Sequence, residues 1–339
     1  MGGAVKAWVA ARYGPPEALR LRDLPPPSPA AGEVLVAVRA VGLNFADCAA
    51  RLGVYPNVPR PPFVPGMEVS GVVAALGEGV TAPAVGTPVA AVPIFGGHAE
   101  LVRVPATHVR PLPPAVGFVE GAALAVTGLT ADHALHTVGR VRRGERVVIT
   151  AAAGGVGSMA VQLARRAGAQ VVAVASTEAK RRLAADLGAH EVFGYERYRQ
   201  AVAAGVDVVL DSVGGALFRP GWRALRPDGR YVLFGFAAAL GERRVRWLRA
   251  AGELLRMGVV LPQALVAPCR TLAGFNLSLV PHLAGELQER FGRLESLLAT
   301  GELRPVVGEV LPFAQLPRAH ARLQGRHTVG KVVVTVGSH

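Results

Sequence analysis

Only two cysteines, Cys48 and Cys269, occur in 339 residues, so neither a disulfide framework nor a multi-cysteine zinc site can be assembled. A reducing cytoplasm is the compartment that fits. Lysine is nearly as scarce: Lys6, Lys180 and Lys331 stand against 34 arginines, so the formal charge of +13 is an arginine charge spread along the chain. Such a charge attracts anionic cofactors, lipids or nucleic acid, but aromatics make up only 6% and do not interleave with the arginines, which argues against a nucleic-acid partner. No apolar run approaches the roughly 20 residues of a membrane span. Met1 to Ala11 lacks the charged and then apolar pattern of a secretory signal. With 51% hydrophobic and 18% charged residues, the chain reads as a soluble globular protein long enough for two domains.

Short valine-rich runs fill the first third: Glu33 to Val41, Val69 to Ala75, Pro88 to Val92 and Ala99 to Val104, separated by turn residues such as Gly77 to Gly79 and Gly96 to Gly97. They predict a β-rich first domain over roughly residues 1–122. After Gly121 the pattern changes. A helix from Ala122 to Val138 precedes the strand Arg146 to Thr150, a glycine cluster and a helix from Ser158 to Ala167. Apolar runs at Val171 to Ser176, Val206 to Asp211, Tyr231 to Phe236 and Thr271 to Phe275 then alternate with helical stretches such as Glu178 to Leu187. Alternation of that kind predicts a doubly wound parallel sheet. The last strand, Lys331 to Val336, has no helix after it and is free to return to the first domain. The expected division is 1–122 with 303–339, and 123–302 between them. Pro25 to Ala31 reads as a loop.

The segment TAAAGGVG, Thr150 to Gly157, lies between a buried strand and an amphipathic helix, where a dinucleotide turn belongs. Ala152, Gly154 and Gly157 take the three glycine positions of G-x-G-x-x-G, with alanine replacing the first. Gly154 lets backbone approach a pyrophosphate, Gly157 lets helix pack closely on strand, and the helix N-terminus supplies amides. About 20 residues on, an NAD enzyme carries Asp or Glu for the ribose 2′-hydroxyl. Here Ala175 and Ser176 follow the strand instead. Ser176 can donate to a 2′-phosphate and Lys180 can add charge, which favours NADPH.

The motifs GLNFADCAARLGVYP (Gly42 to Pro56), PFVPGMEVSGVV (Pro62 to Val73), TGLTA (Thr127 to Ala131), AAAGGVGSMAVQLAR (Ala151 to Arg165), DVVLDSVGG (Asp207 to Gly215), GFNLS (Gly274 to Ser278) and VGKVVV (Val329 to Val334) together resemble a family. It is the zinc-independent quinone oxidoreductases of the medium-chain dehydrogenase/reductase superfamily, with similarity to the vesicle amine transport protein 1-like branch. The resemblance runs from about Lys6 to Val336. It implies an α/β fold with a GroES-like β-rich substrate domain and a Rossmann NADPH-binding domain, an active site in a cleft, and a homodimer formed through the strand near Thr271 to Phe275. It implies Asn44 and Asp47 at the nicotinamide end, with Thr127 near the ring. Gly154, Gly155, Val156 and Gly157 are implied on the pyrophosphate, and Ser176, Lys180 and Tyr195 on the 2′-phosphate. Phe234 and Gly235 fall by the carboxamide, Phe275 and Asn276 join the cofactor set, and Lys331 is cofactor-proximal. Where zinc-containing relatives use Cys and His, the matching residues are Asn44 and Met67; Glu68 remains, and one carboxylate is not a zinc site.

Hydride transfer draws its rate from positioning, and the negative charge that grows on an acceptor oxygen needs hydrogen-bond donors. Asn44 and Tyr55 are the candidates, with water as the proton source. Tyr55 reads equally well as an aromatic wall. His98, His133 and His136 show no arrangement of partners in sequence, and Cys48 reads as a buried small residue. From Leu240 to Val266, Arg243, Arg244, Arg246 and Arg249 alternate with Trp247, Leu248, Leu254 and Leu255. That is a basic amphipathic helix suited to a membrane surface, a lipid-like substrate or a dimer edge. The expected activity is NADPH-dependent reduction of a quinone or α,β-unsaturated carbonyl. An enoyl-thioester reductase and an NADPH-binding, lipid-handling or membrane-docking protein with little turnover remain open alternatives.

Overall fold

Alternating valines and short turns build the first strands of the computed structural model, which describes residues 3–241, 243, 245, 247–279 and 283–337. Strands β1 (Val5–Ala10) and β2 (Leu19–Leu24) form an antiparallel pair. The long β3 (Glu33–Leu43) pairs antiparallel with β4 (Val69–Leu76) and β6 (Leu101–Pro105), and β4 continues through β5 (Pro88–Ala91) to β7 (Val109–Pro111). Inward positions of these strands, Val34, Val36, Val38, Val69, Val89, Val102 and Val104 among them, are almost completely buried in one core. Burial alternates cleanly along β6, as the sequence pattern predicts, whereas β3, β4 and β5 bury runs of consecutive residues on both faces.

The second unit is a six-stranded parallel sheet. Its strands are β8 (Arg146–Thr150), β9 (Gln170–Val174), β10 (Glu191–Phe193), β11 (Val206–Asp211), β12 (Leu225–Leu233) and β13 (Thr271–Gly274), in the spatial order β10-β9-β8-β11-β12-β13. The strand order reverses between β8 and β11, the switch point at which open α/β sheets bind ligands. Two buried polar clamps hold this sheet at its ends. Asp211, fully buried, accepts from Thr150 Oγ1 at 2.8 Å, Tyr231 Oη at 2.7 Å and the amides of Val213 and Gly214, tying β8, β11 and β12 together. Arg230, 2% exposed, donates to both oxygens of Glu145 at 2.8 and 2.7 Å and to the carbonyls of Gly139, Arg140 and Asp228. Removing one partner of such a pair strands a buried charge.

The chain then returns to the first unit with β14 (Val307–Pro312) and β15 (Lys331–Thr335). β15 pairs parallel with β14 and antiparallel with β3, in the register Val332↔Leu43 and Val333↔Gly42. The return expected of KVVVTV is thus made. The two units are Met1–Leu129 with Glu242–Arg244 and Pro281–His339, and Thr130–Gly241 with Val245–Val280. The helix Leu283–Ala299, expected within the dinucleotide half, belongs to the first unit. Leu294 packs against Gly128, where an added Cβ would lie 3.0 Å from the Leu294 side chain, and Arg110 pairs with Glu295 at 3.3 Å. The helix expected from Ala122 to Val138 is divided: an α-helix spans Ala125–Asp132 and a wider π-turn spans His133–Val138.

Candidate functional site

In the first unit, the antiparallel register of β15 on β3 brings Lys331 beside Asn44. The lysine stem passes over Gly42, where an added Cβ would sit 3.0 Å from Lys331 Cε and 1.7 Å from the Ala122 carbonyl oxygen, so no other residue fits. The ammonium donates to Asn44 Oδ1 at 2.6 Å and to Glu68 Oε2. Glu68, fully buried, also accepts from Asn44 Nδ2 at 3.0 Å and, on its other oxygen, from the Val126 amide at 2.8 Å. Asn44 Nδ2 donates its second hydrogen to the Gly42 carbonyl at 3.2 Å, so both its N–H groups are engaged inside this cluster. Thr127 Oγ1 likewise donates to Ala123 O at 2.6 Å. Asp47 opens the helix Phe45–Arg51 by accepting from the Asn44 amide at 2.7 Å; burial pushes its carboxyl up to about 7. Of the four residues expected here, Asn44 and Lys331 meet at Glu68, Asp47 is tied to them through the Asn44 amide, and Thr127 directly follows Val126, whose amide Glu68 holds. Tyr55 stands edge-on to Phe95 in an aromatic cluster with Phe63 and Tyr13.

The three histidines and Cys48 are each accounted for by burial or by a neighbouring side chain. His98 is fully buried, and its pKa is lowered to about 3 by that burial; His136 pairs with Asp132 at 2.9 Å; the His133 ring packs on Phe275. Cys48 is fully buried, its sulfur 3.7 Å from His320 Nδ1, and burial pushes its thiol up to about 12.

In the second unit, Gly154 precedes the helix Gly155–Arg166 in extended conformation. An added Cβ there would meet only Ala151 O, at 3.3 Å, which leaves open space above the helix N-terminus where a pyrophosphate can approach. At Gly157 the same atom would lie 2.2 Å from Ala151 O and 2.7 Å from Ala152 Cα, so this glycine holds helix against strand. The left-handed turn falls on Ala151 (φ 50°), one residue before the position assigned as the first glycine. Tyr195 Oη accepts from the Ala151 amide at 3.2 Å and so pins that turn, a role additional to the one the resemblance implied. Ser176 is exposed just past β9, and Thr177 caps the next helix by accepting from the Lys180 amide. Sequence reading missed Arg181, whose guanidinium donates to the Ala175 carbonyl at 3.5 Å and pairs with Glu178 at 3.0 Å. The signal was available: a second cation follows Lys180 directly, and Glu178, the nearby acid, is held by Arg181 and Arg182. Phe234 stacks on Phe275 at 5.8 Å, and Asn276 Oδ1 accepts from Ser278.

The helix expected over the basic segment spans Trp247–Met257; Arg244 and Arg246 lie outside the described residues. It buries Ala250 and Glu253, the latter accepting from the Ala216 amide and from Arg256, while Trp247, Leu248, Leu254 and Leu255 point outward. No helix among the described residues is long and apolar enough to cross a membrane.

The alcohol dehydrogenase GroES-like domain family matches residues 30–114, and the zinc-binding dehydrogenase family matches residues 187–334. The human synaptic vesicle membrane protein VAT-1 homolog is 33% identical over 94% of this chain and 83% of its own length. Its zebrafish counterpart is 32% identical over 91% of this chain, which spans 65% of that longer protein. Rat quinone oxidoreductase is 30% identical over 94% of this chain and 93% of its own. The quinone oxidoreductase of Thermus thermophilus, solved alone and with NADPH, superposes with a TM-score of 0.81 at 38% identity, covering 97% of this chain and 99% of that one. The residues do not fit the metal in the second family's description. Asn44 is an amide, Met67 a thioether, and Glu68 is hydrogen-bonded on both oxygens; among the described residues no three His, Cys, Asp or Glu side chains converge on one point.

Proposed function

Since the chain belongs to the medium-chain dehydrogenase/reductase superfamily, close to the VAT-1 homologues and quinone oxidoreductases, we propose that it reduces a quinone or an α,β-unsaturated carbonyl with NADPH. One observation carries the reading: an open glycine cradle at a helix N-terminus, followed at the end of β9 by Ser176, Lys180 and Arg181 instead of an acid. NADPH bound there supplies the hydride. Gly154, Gly155, Val156 and Gly157 hold its pyrophosphate through backbone amides, while Ser176 and Lys180 take the 2′-phosphate. Phe234, Gly235, Phe275 and Asn276 line the nicotinamide side of this unit. Tyr195 sets the loop.

NADPH oxidation against 1,4-benzoquinone, 9,10-phenanthrenequinone, an alkenal and crotonyl-CoA tests this, with NADH as control. Turnover with a quinone or the alkenal is expected. Lys180→Ala should raise KM for NADPH about tenfold, one charged hydrogen bond's worth, and leave KM for NADH unchanged. Equal effects on both cofactors would remove Lys180 from the phosphate site, and turnover with crotonyl-CoA alone would make the protein an enoyl-thioester reductase.

A second copy of the chain covers the outward face that leads into β13. Trp247, Leu248, Leu254, Leu255, Val259, Leu261 and Val266 are 57–93% exposed within one stretch of chain, the kind of exposure that marks an interaction face. β13 ends the sheet, its outer edge unpaired among the described residues, and Leu272 on it is also exposed. The two features are continuous along the chain. Light scattering should give twice 35.2 kDa for the wild type and a monomer for Leu248→Asp/Leu255→Asp. A monomeric wild type that floats with anionic vesicles would assign the face to a membrane surface instead.

A further inference from the structure

An inventory of polar hydrogens around Asn44 singles out one group. Both amide hydrogens of Asn44 are engaged, by Gly42 O and Glu68 Oε2. The Thr127 hydroxyl is engaged by Ala123 O. Val126 N–H is taken by Glu68 Oε1. The Lys331 ammonium has three N–H groups and two acceptors among the described residues, Asn44 Oδ1 and Glu68 Oε2. It is 3% exposed, so its charge acts in a nearly dry environment where a donor is worth most. Asn44, one of the two donors that sequence alone suggested, is thus occupied in orienting the lysine.

We infer that Lys331, aimed by Glu68 and Asn44, is the electrophilic catalytic residue of this reductase, its third N–H meeting the acceptor oxygen on which negative charge grows. The inference rests on the reductase reading above. Hydride from NADPH forms a C–H bond on the acceptor; the displaced π pair moves to the acceptor oxygen, Lys331 donates a hydrogen bond to it, and water supplies the proton. The acceptor gains two electrons and NADPH loses two. A fixed internal cation here does for the oxygen what a Lewis acid does elsewhere, and the buried Glu68 has a task beside it: it holds the ammonium in place.

Lys331→Met should lower kcat/KM for 1,4-benzoquinone by at least about 100-fold, the usual cost of deleting one such donor, with NADPH affinity by fluorescence titration within threefold of wild type. Because Lys331→Met strands Glu68, Glu68→Gln/Lys331→Met is made beside it, neutralising the pair together. That variant should melt near the wild type and remain as slow as the single mutant. Lys331→Arg should recover part of the rate. A second readout needs no turnover: the chain has only three lysines, so 15N-lysine labelling resolves the Lys331 ammonium from those of Lys6 and Lys180. With NADP+ bound, its signal should move on addition of 4-nitrophenolate, an oxyanion, while the other two stay. A double variant that turns over within threefold of wild type, or a Lys331 signal indifferent to the phenolate, would reduce Lys331 to a structural cation. Absence of turnover in the wild type would instead overturn the reductase reading itself.

Discussion

Gly157→Ala is expected to destabilise the second unit by roughly 3 kcal/mol, the upper range for overpacking a well-filled site, and to lower Tm by about 6–12 °C. The reason is geometric. The new Cβ would fall 2.2 Å from Ala151 O, 2.7 Å from Ala152 Cα and 2.9 Å from Ala151 C, and all three are backbone atoms. They cannot rotate away as the tip of a side chain can. Ala151 already sits in the left-handed region, and its amide is held by Tyr195 Oη, so the helix Gly155–Arg166 must retreat instead. Retreat carries the helix N-terminal amides away from the pyrophosphate, and NADPH affinity should fall 10- to 100-fold. Gly154→Ala is the control. Its backbone, φ −83° and ψ 177°, is open to any residue, and its Cβ meets only one atom at 3.3 Å. It should change stability by less than about 1 kcal/mol while weakening NADPH binding, because the methyl occupies the face the phosphates approach. Calorimetric unfolding and NADPH titration of both variants decide the matter. If Gly154→Ala bound NADPH as the wild type does, the loop would be a tight turn and nothing more.

The loop was legible because a strand, a glycine cluster and a helix follow one another within some twenty residues, and local order is what sequence patterns encode. The same holds for β8, β9, β11 and the second half of β12, whose apolar runs mark strands buried on both faces. The cluster of Asn44, Glu68 and Lys331 was legible only as separate candidates. Glu68 and Lys331 are 263 positions apart, and their contact depends on the register of β15 against β3, which no local pattern specifies. Nor did residue types reveal that Asn44 would be occupied by its neighbours; that requires counting hydrogens in space. The helix Trp247–Met257 shows a different limit. Its periodicity announced an amphipathic helix, but not which face lies inside. Glu253 faces inward because the Ala216 amide and Arg256 satisfy it, and the leucines are left outside. The helix Leu283–Ala299 was assigned to the wrong unit for a related reason: its chain neighbours are Rossmann elements, while its packing partner is Gly128.

The response of stability to acid gives the second large effect, and its sign follows from two opposed sets of groups in the first unit. His98 and His320 are fully buried, their rings edge to face at 5.1 Å, with Cys48 and Arg51 beside them. Burial lowers His98 to about 3 and His320 well below its ordinary value, so both stay neutral in the folded chain while the unfolded chain protonates them below about 6.5. Their contribution is fully present above that pH and is lost as pH falls toward the folded values. Asp47 works the other way. Burial raises it to about 7, so its contribution is fully present below the ordinary aspartate range and is lost as pH rises through 7. Between about pH 5 and 6 each group is therefore in one form when folded and the other when unfolded, and each changes the slope of stability against pH by one proton, about 1.4 kcal/mol per pH unit. His98→Leu should make that slope shallower than the wild type by this amount, and Asp47→Asn should make it steeper by the same amount. Denaturant unfolding at three pH values in this window measures both. A His98→Leu slope equal to the wild type's would mean that His98 takes up its proton in the folded protein. That requires a neighbour able to hold the charge, and with the Arg51 guanidinium among the buried groups around His320 the site disfavours it.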